Sequence, residues 1–348
     1  METQRCRSST LRARTILCGI SALLWVIVPA SDVRADPASE LASFSVFPKV
    51  DLARLGQADQ KPMRGPSGGR FLSVQTAYVV PRAPAEQLAA MRQWSATRHP
   101  ELKVFVHSDL PASPSASNFS RLQNAPNNPA VQYLATATAQ GSSDLQLSSA
   151  EAKQIPAKAA GTMSGSVAAF WSNVLAARAQ AFASGGSSAL PPYDHTGQNV
   201  RAGEEFNAML SQQGKVRQQF AGLLAATGIG RGAGSIKPDL YWEMQSVDER
   251  GVLTLGAFYS RPAAGGSIQT ASALYYASGG YFAGLTLHQL WPVEVGGKSS
   301  TLVWRGDMVS SGSVGSLRGI ERIAAESTMI KDISRVVSLF RRDTGGAR

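Results

Sequence analysis

Cysteine is nearly absent from this sequence of 348 residues. Its two cysteines, Cys6 and Cys18, both precede residue 36, so the segment 36–348 has none. That segment therefore forms no disulfide and no cysteine-ligated zinc site. Its stability has to come from a hydrophobic core, and its length is sufficient for one large domain or two ordinary ones.

The motifs H-E-x-x-H and the Walker loop are also missing, and residues 65–69, which match G-x-S-x-G, lie in a predicted loop rather than in the strand-to-helix elbow of a hydrolase. The glycine-rich stretch 228–234 follows a predicted helix, whereas a dinucleotide site follows a strand. His99 and His107 lack a metal-ligand spacing, and Asp194 and His195 lie in a proline-rich linker. We predict no catalytic residue, no metal ligand and no cofactor, which favours a non-enzymatic protein. A serine, a histidine and an aspartate that converge only in the fold would still make a hydrolase.

A surface on which basic and aromatic residues alternate, as in nucleic-acid-binding proteins, is not found either. The net charge is +10 at pH 7, but the positive residues are dispersed. The densest group is Arg335, Arg341, Arg342 and Arg348. We therefore predict no specific nucleic-acid partner. Contact with an anionic surface is one interpretation of this charge, and a solvated basic face is the simpler one.

The sequence begins with a pattern that is typical of a secretory signal peptide. A basic stretch at 5–14 precedes an apolar run at 16–30, and a small-x-small cleavage site follows at 33–35. The apolar run is too short to be a transmembrane helix. We predict a signal peptide over 1–35, export to the periplasm or the medium, and no transmembrane segment after cleavage.

The last third of the chain has the clearest pattern. Five runs rich in Val, Leu, Thr, Tyr, Phe and Trp are separated by short glycine-containing turns. Such short connections join only antiparallel neighbours, so the runs predict an antiparallel meander. The predicted strands are 240–246, 252–260, 268–277, 281–291 and 301–309.

After Ser316 the apolar residues recur every three or four positions, which predicts a helix of about seven turns. We expect its apolar stripe to pack on the meander, so that 238–343 forms one unit. The stripe consists of Ile320, Ile323, Ile330, Ile333, Val337 and Phe340.

The segments before the meander differ in composition. Residues 36–70 are a lead-in, and 71–110 contain a strand, a helix and a second strand. Residues 111–235 are a mainly helical insertion with loops rich in Pro and Ser, and Arg178 interrupts the stripe of its second helix, so incomplete burial is expected there. The predicted helices of the insertion are 130–139, 163–183 and 202–226.

Two early strands, five late strands and a final helix predict an α+β fold. The strand before Ala83-Pro84-Ala85-Glu86 and the helix after it resemble the opening of the polyketide-cyclase and START-like helix-grip superfamily. Those folds curve a seven-stranded antiparallel sheet around a long C-terminal helix. The resemblance covers about 71–108 and 238–343, and the helical insertion departs from it. It implies an apolar ligand bound between sheet and helix.

Aromatic residues concentrate in the meander, where they could line a pocket or could simply pack the sheet. Alternation along the strands places His288 on the less apolar face of its strand, and Arg305 on the same face as Asp307, which allows an ion pair. The candidate ligand-binding residues are Trp242, Tyr259, Tyr276, Tyr281, His288, Trp291, Trp304 and Arg305. The leading hypothesis is an exported protein that binds a hydrophobic small molecule or a lipid. The alternatives are an interaction or structural protein of the cell envelope and an unrecognised hydrolase.

Overall fold

The structure is a computed structural model that describes residues 36–57, 61–157 and 161–345. The segment Ala35–Arg348 forms one compact unit. The predicted signal peptide, 1–35, lies outside the described residues.

A single antiparallel sheet is the centre of the fold. Its strands are β1 (Met63–Arg64), β2 (Phe71–Val80), β3 (Val104–Leu110), β4 (Asp239–Val247), β5 (Arg250–Pro262), β6 (Ile268–Ala277), β7 (Ala283–Val295) and β8 (Lys298–Ser310). Their order across the sheet is β1-β2-β8-β7-β6-β5-β4-β3. The first long strand therefore pairs with the last strand, and β3 pairs with the first strand of the meander.

The predicted meander is confirmed, because each of the five predicted runs is a strand whose neighbours in sequence are also its neighbours in the sheet. The turn between β4 and β5 contains Asp248 and Glu249, whose φ angles are 47° and 64°. Such positive values fit a two-residue hairpin turn of the kind that matches the twist of the strands.

Helices pack on both faces of the sheet. They are α1 (Pro37–Phe44), α2 (Leu52–Gln57), α3 (Pro84–Gln93), α4 (Pro129–Ala139), α5 (Ser149–Ala152), α6 (Gly165–Gly185), α7 (Ala202–Ser211), α8 (Gly214–Gln219), α9 (Ala221–Thr227), α10 (Gly312–Ser316) and α11 (Gly319–Asp343). The predicted helical insertion is confirmed as α4 to α9. Its third predicted helix is three short helices, because Gln213 and Phe220 have non-helical backbone angles.

The two faces of the sheet are covered differently. We call one the aromatic face; it carries Trp242, Tyr259, Tyr275, Trp291 and Trp304. Helices α1 and α4 to α9 pack on it, and aromatic rings interlock across the interface. The ring of Phe44 in α1 lies 5.0 Å from that of Trp304, and Phe182 in α6 stacks on Tyr275 with ring centres 3.8 Å apart.

We call the opposite side the polar face; it carries Tyr78, Tyr241, Ser272, Thr286, His288, Arg305 and Asp307. Its apolar part is a small cluster in which Val337 of α11 packs with Val303, and Met91 of α3 packs at its margin. The α+β class and the packing of the sheet on the long C-terminal helix are thereby confirmed.

The predicted apolar stripe of α11 is correct for its C-terminal half only. Val337 and Phe340 are buried and Ile333 packs against the cluster on the polar face, as expected. Ile320 and Ile323, however, are 85% and 49% exposed. The expectation that the whole stripe packs on the meander is therefore wrong.

The reason is that the N-terminal half of α11 contacts the rest of the protein through polar side chains instead of its apolar stripe. Glu326 is buried and pairs with Arg64 of β1 at 3.0 Å. Arg322 donates to the carbonyl oxygens of Gly69 and Phe71 at 2.7 and 2.6 Å. The side of α11 that carries these residues faces the sheet edge, so Ile320 and Ile323 turn outward.

Arg178 also departs from the expectation, because its side chain is 1% exposed rather than partly solvated. It forms two hydrogen bonds of 2.7 and 2.6 Å with Glu151, and its guanidinium lies over the rings of Tyr193 and Tyr276. A buried guanidinium is tolerated when a carboxylate pairs with it in this bidentate way.

This pairing gives a prediction. The substitution Arg178→Met leaves Glu151 buried without its partner, so we expect the free energy of unfolding to fall by about 3–5 kcal/mol. Arg250→Met is the matched control, because Arg250 also pairs with a carboxylate, that of Asp144, and lies over a tyrosine ring, but is about half exposed. Its loss is expected to cost at most about 1 kcal/mol. Equal effects in urea unfolding would contradict the assignment.

Candidate functional site

A cavity of about 900 Å³ lies between the polar face of the sheet and the helices α3 and α11. This volume is within the range of about 300–1,000 Å³ that is typical of small-molecule sites. The wall contributed by the helices is largely apolar and contains Met91, Val336, Val337 and Phe340. The floor, contributed by the strands, is mostly polar.

The inner end of the cavity lies above β2, β8 and β7. Here the guanidinium of Arg305 donates two hydrogen bonds of 2.7 Å to Asp307, whose carboxylate also accepts one of 2.9 Å from Thr286. His288 stands directly opposite Arg305 in the sheet and shares a 3.1 Å hydrogen bond with Thr270 through Nδ1. The predicted pair of Arg305 and Asp307 is confirmed.

Burial determines the protonation states of the ionisable side chains at this end of the cavity. Desolvation, with the Arg305 charge as a smaller cause, holds the pKa of His288 well below its ordinary value of 6.5. Desolvation also raises the pKa of Tyr78 to about 12, against the opposing effect of Arg305. His288 is therefore a neutral imidazole and Tyr78 a neutral phenol near pH 7.

The other end of the cavity opens near β3 and β4. Its rim includes Asp109 and Asp239, whose side chains are 94% and 66% exposed, and Arg92, which pairs with Asp239 at 3.2 Å. We call this end the mouth. It is rich in carboxylates, so a ligand's entrance is polar while the helical wall behind it is apolar.

Beside the mouth, His107 and Glu243 form a second polar pair, with 3.0 Å between Nδ1 and the carboxylate. The hydrogen bond to Glu243 raises the pKa of His107 above its ordinary value, although burial opposes this. Tyr241 stacks near the imidazole and exchanges a 3.0 Å hydrogen bond with Ser272. A carboxylate-paired histidine can transfer protons, but no hydrogen bond joins it to a serine or threonine hydroxyl in the described chain.

A cluster of three side chains fixes the end of α11 beside the cavity. Trp94 and His99 both bond to Oδ2 of Asp343, at 2.8 and 2.6 Å. The ring of Trp94 also packs edge-on against Phe340 at 5.8 Å. These contacts hold the last turn of α11 against the segment that follows α3, and thus fix one wall of the cavity.

Of the eight predicted ligand-binding residues, His288 and Arg305 line the cavity. The other six do not line the cavity. Five of them lie on the opposite face of the sheet, and the sixth lies in a loop. Trp242, Tyr259, Trp291 and Trp304 are in the core of the aromatic face, and Tyr276 is also buried in that core, with its hydroxyl bonded to the carbonyl oxygen of Gln146 at 3.2 Å. Tyr281 precedes β7 and accepts a 2.6 Å hydrogen bond from Gln245. Whether any of the eight binds a ligand stays a prediction.

The sequence analysis missed several residues of the cavity floor. Tyr78 belongs to an early strand, and it reaches the floor only because β2 pairs with β8. His107 and Glu243 are separated by 136 positions and meet through the pairing of β3 with β4. The alternation of polar residues in β7 was the one available signal, since it marked the face that carries Thr286 and His288.

The described residues include no group of three His, Asp, Glu or Cys side chains placed to hold a metal ion. In the same part of the chain, no helix combines the length and the apolar character that crossing a bilayer requires. No protein-family model matches the chain, and neither a curated protein nor a solved structure is significantly similar to it. The geometry of the cavity is therefore the basis for any functional proposal.

The two cavity histidines should respond to pH in opposite directions. Below pH 6.5 the unfolded chain protonates His288 but the folded protein does not, so this group lowers stability on acidification, by up to about 1.4 kcal/mol per pH unit. We expect His288→Gln to remove that loss. Urea unfolding at a series of pH values between about 5 and 8 tests this expectation. The free energy of unfolding of the variant, relative to that of the wild type, should rise as the pH falls.

His107→Gln is the control with the opposite sign. The raised pKa of His107 contributes stability below pH 6.5, and this contribution is lost as the pH rises through the folded-state pKa. The variant should therefore fall furthest below the wild type at acid pH. If the free energy of unfolding changes with pH in the same way for the wild type and His288→Gln, His288 is not held neutral in the folded protein.

Proposed function

We propose that this protein is exported and binds an elongated hydrophobic or amphipathic small molecule, such as a lipid, in the cavity between the sheet and α11. The observation that carries the proposal is the cavity itself, with its volume of about 900 Å³, an apolar wall and a polar floor. This combination is typical of sites that bury most of a ligand and orient it with a few polar groups.

The dimensions of the site favour an elongated ligand. The lining residues extend from Arg305 on β8 to His107 on β3. Five strand spacings separate these strands, which corresponds to about 24 Å measured along the sheet. A compact ligand would contact only part of such a cavity, whereas a chain-like molecule can contact the apolar wall along its length.

The resemblance to helix-grip proteins is part of the same proposal. It is supported by seven long antiparallel strands, by the position of α11 after the last strand and by a cavity at the junction of sheet and helix. The insertion between β3 and β4 covers the aromatic face, so it leaves the cavity on the polar face unobstructed. Export rests on the N-terminal pattern alone.

The direct test is native mass spectrometry of the protein purified without detergent from a host that exports it. A discrete additional mass that disappears on denaturation is the expected result, and extraction of that species gives its chemical class. A protein that carries no additional mass and also fails to bind N-phenyl-1-naphthylamine, an uncharged apolar fluorescent probe, would contradict the proposal.

Filling the cavity should abolish probe binding. Val336 lines the apolar wall, so in Val336→Trp the larger side chain occupies the space of the ligand. We expect the affinity for N-phenyl-1-naphthylamine, measured by fluorescence titration, to fall by about ten-fold or more, because the ligand loses its apolar contacts. Arg335→Trp adds the same side chain at the neighbouring exposed position and should bind as the wild type does. Equal loss in both variants would place the probe outside the cavity.

A further inference from the structure

Three polar groups at the inner end of the cavity have unused hydrogen-bonding capacity. The Tyr78 hydroxyl, Nε2 of His288 and Nη1 of Arg305 make no hydrogen bond to any other described residue. Tyr78 and His288 are only 2% and 7% exposed. Because polar groups of low exposure are almost always hydrogen-bonded, these three groups take their remaining partners from the cavity, either water or a ligand.

These groups lie close together. Arg305 and His288 are directly opposite each other on β8 and β7, where side chains of a pair are about 5 Å apart. Tyr78 is opposite Val303, two positions from Arg305 on the same strand and face. Arg305 is among the charges that influence the pKa of both Tyr78 and His288, so the three groups lie within electrostatic range of one another. All three line the same cavity, where one ligand group is the simplest shared partner.

The chemistry of the three residues specifies the group that they bind. A guanidinium can only donate hydrogen bonds, so the ligand atom beside Arg305 has to be an acceptor. A phenol can donate to the same atom, and an oxygen with two lone pairs accepts both bonds. A carbonyl oxygen or a hydroxyl oxygen has this capacity.

The local charges argue against an anionic ligand group. The positive charge of Arg305 is already paired with Asp307, and His288 is neutral. Arg341 lies 5.7 Å from the centre of the Tyr78 ring, but it does not line the cavity. A ligand carboxylate would thus stand beside the carboxylate of Asp307 without a cation of its own, and the two like charges would repel each other.

We propose that the inner end of the cavity binds an uncharged oxygen, that of a ketone, ester or alcohol, at one end of an elongated apolar ligand. Arg305 and Tyr78 donate hydrogen bonds to this oxygen, His288 contacts it, and the apolar remainder extends across the strands toward the mouth. This inference rests on the proposed function and deepens it, because it excludes fatty-acid anions as the preferred ligands.

The test compares ligands of equal chain length. Dodecan-2-one and dodecanoate are titrated against the protein loaded with N-phenyl-1-naphthylamine, and displacement is followed by fluorescence. We expect the ketone to displace the probe at a concentration lower by about ten-fold or more than the acid does, since the carboxylate of Asp307 repels the acid anion but not the ketone. Equal or stronger displacement by dodecanoate would overturn the inference.

Two further variants test the residues themselves. Tyr78→Phe removes one hydroxyl from the inner end and should weaken ketone binding about five-fold. Tyr259→Phe removes a hydroxyl from a buried tyrosine on the aromatic face and should have no effect. The double variant Arg305→Met, Asp307→Leu avoids an unpaired buried carboxylate and should bind the probe but not distinguish the ketone from the acid.

The outcomes separate this inference from the proposed function. Failure of the wild type to bind the probe, in a protein that also carries no additional mass, would contradict the function. Probe binding with no preference for the ketone, or a Tyr78→Phe variant that behaves as the wild type does, would contradict the inference and leave the function standing.

Discussion

The alternation of side chains along β7 and β8 is the constraint on which the rest of the structure depends. Successive residues of a strand point to opposite faces, so Trp291 and Trp304 point one way while His288 and Arg305 point the other. A shift of the register by one residue would bury the guanidinium among aromatic rings and expose the two tryptophans. The sheet therefore has one face that a helical insertion can seal and another that retains polar groups under a helix.

Packing alone does not explain the polar residues of the polar face. A row of Thr76, Arg305, His288 and Thr270 crosses four adjacent strands beneath the helices. Apolar residues at these positions would pack against α3 and α11 at least as well, and replacing a buried ion pair by apolar side chains is often neutral or stabilising. The row instead provides directional hydrogen-bonding groups at fixed positions. Such an arrangement is typical of sites that orient a ligand with a few polar groups, and it fits the proposed function.

Local patterns made the strands, the helices and the pair of Arg305 and Asp307 predictable, because each depends on residues close in sequence. The position of the cavity was not predictable, because it depends on which face receives the insertion. The concentration of aromatic residues therefore pointed to Trp242 and its neighbours, which α1 and α4 to α9 cover. The outward turn of Ile320 was equally hidden, since it results from polar contacts of Glu326 with β1, more than 250 positions away.

The cavity follows from the relative widths of helices and sheet. A helix with its side chains is about 10–12 Å wide, and strands are about 4.8 Å apart, so one helix covers about two strands. Helix α11 lies along β1 and β2, and α3 lies against β7 and β8. The insertion packs on the aromatic face, and α3 reaches β4 and β5 on the polar face through the long side chain of Arg92. The exposed Asp109 and Asp239 mark the side left open. On the proposed function, a ligand enters at β3 and β4 and advances beneath the helices, so the end that passes the mouth first is the end that reaches Arg305.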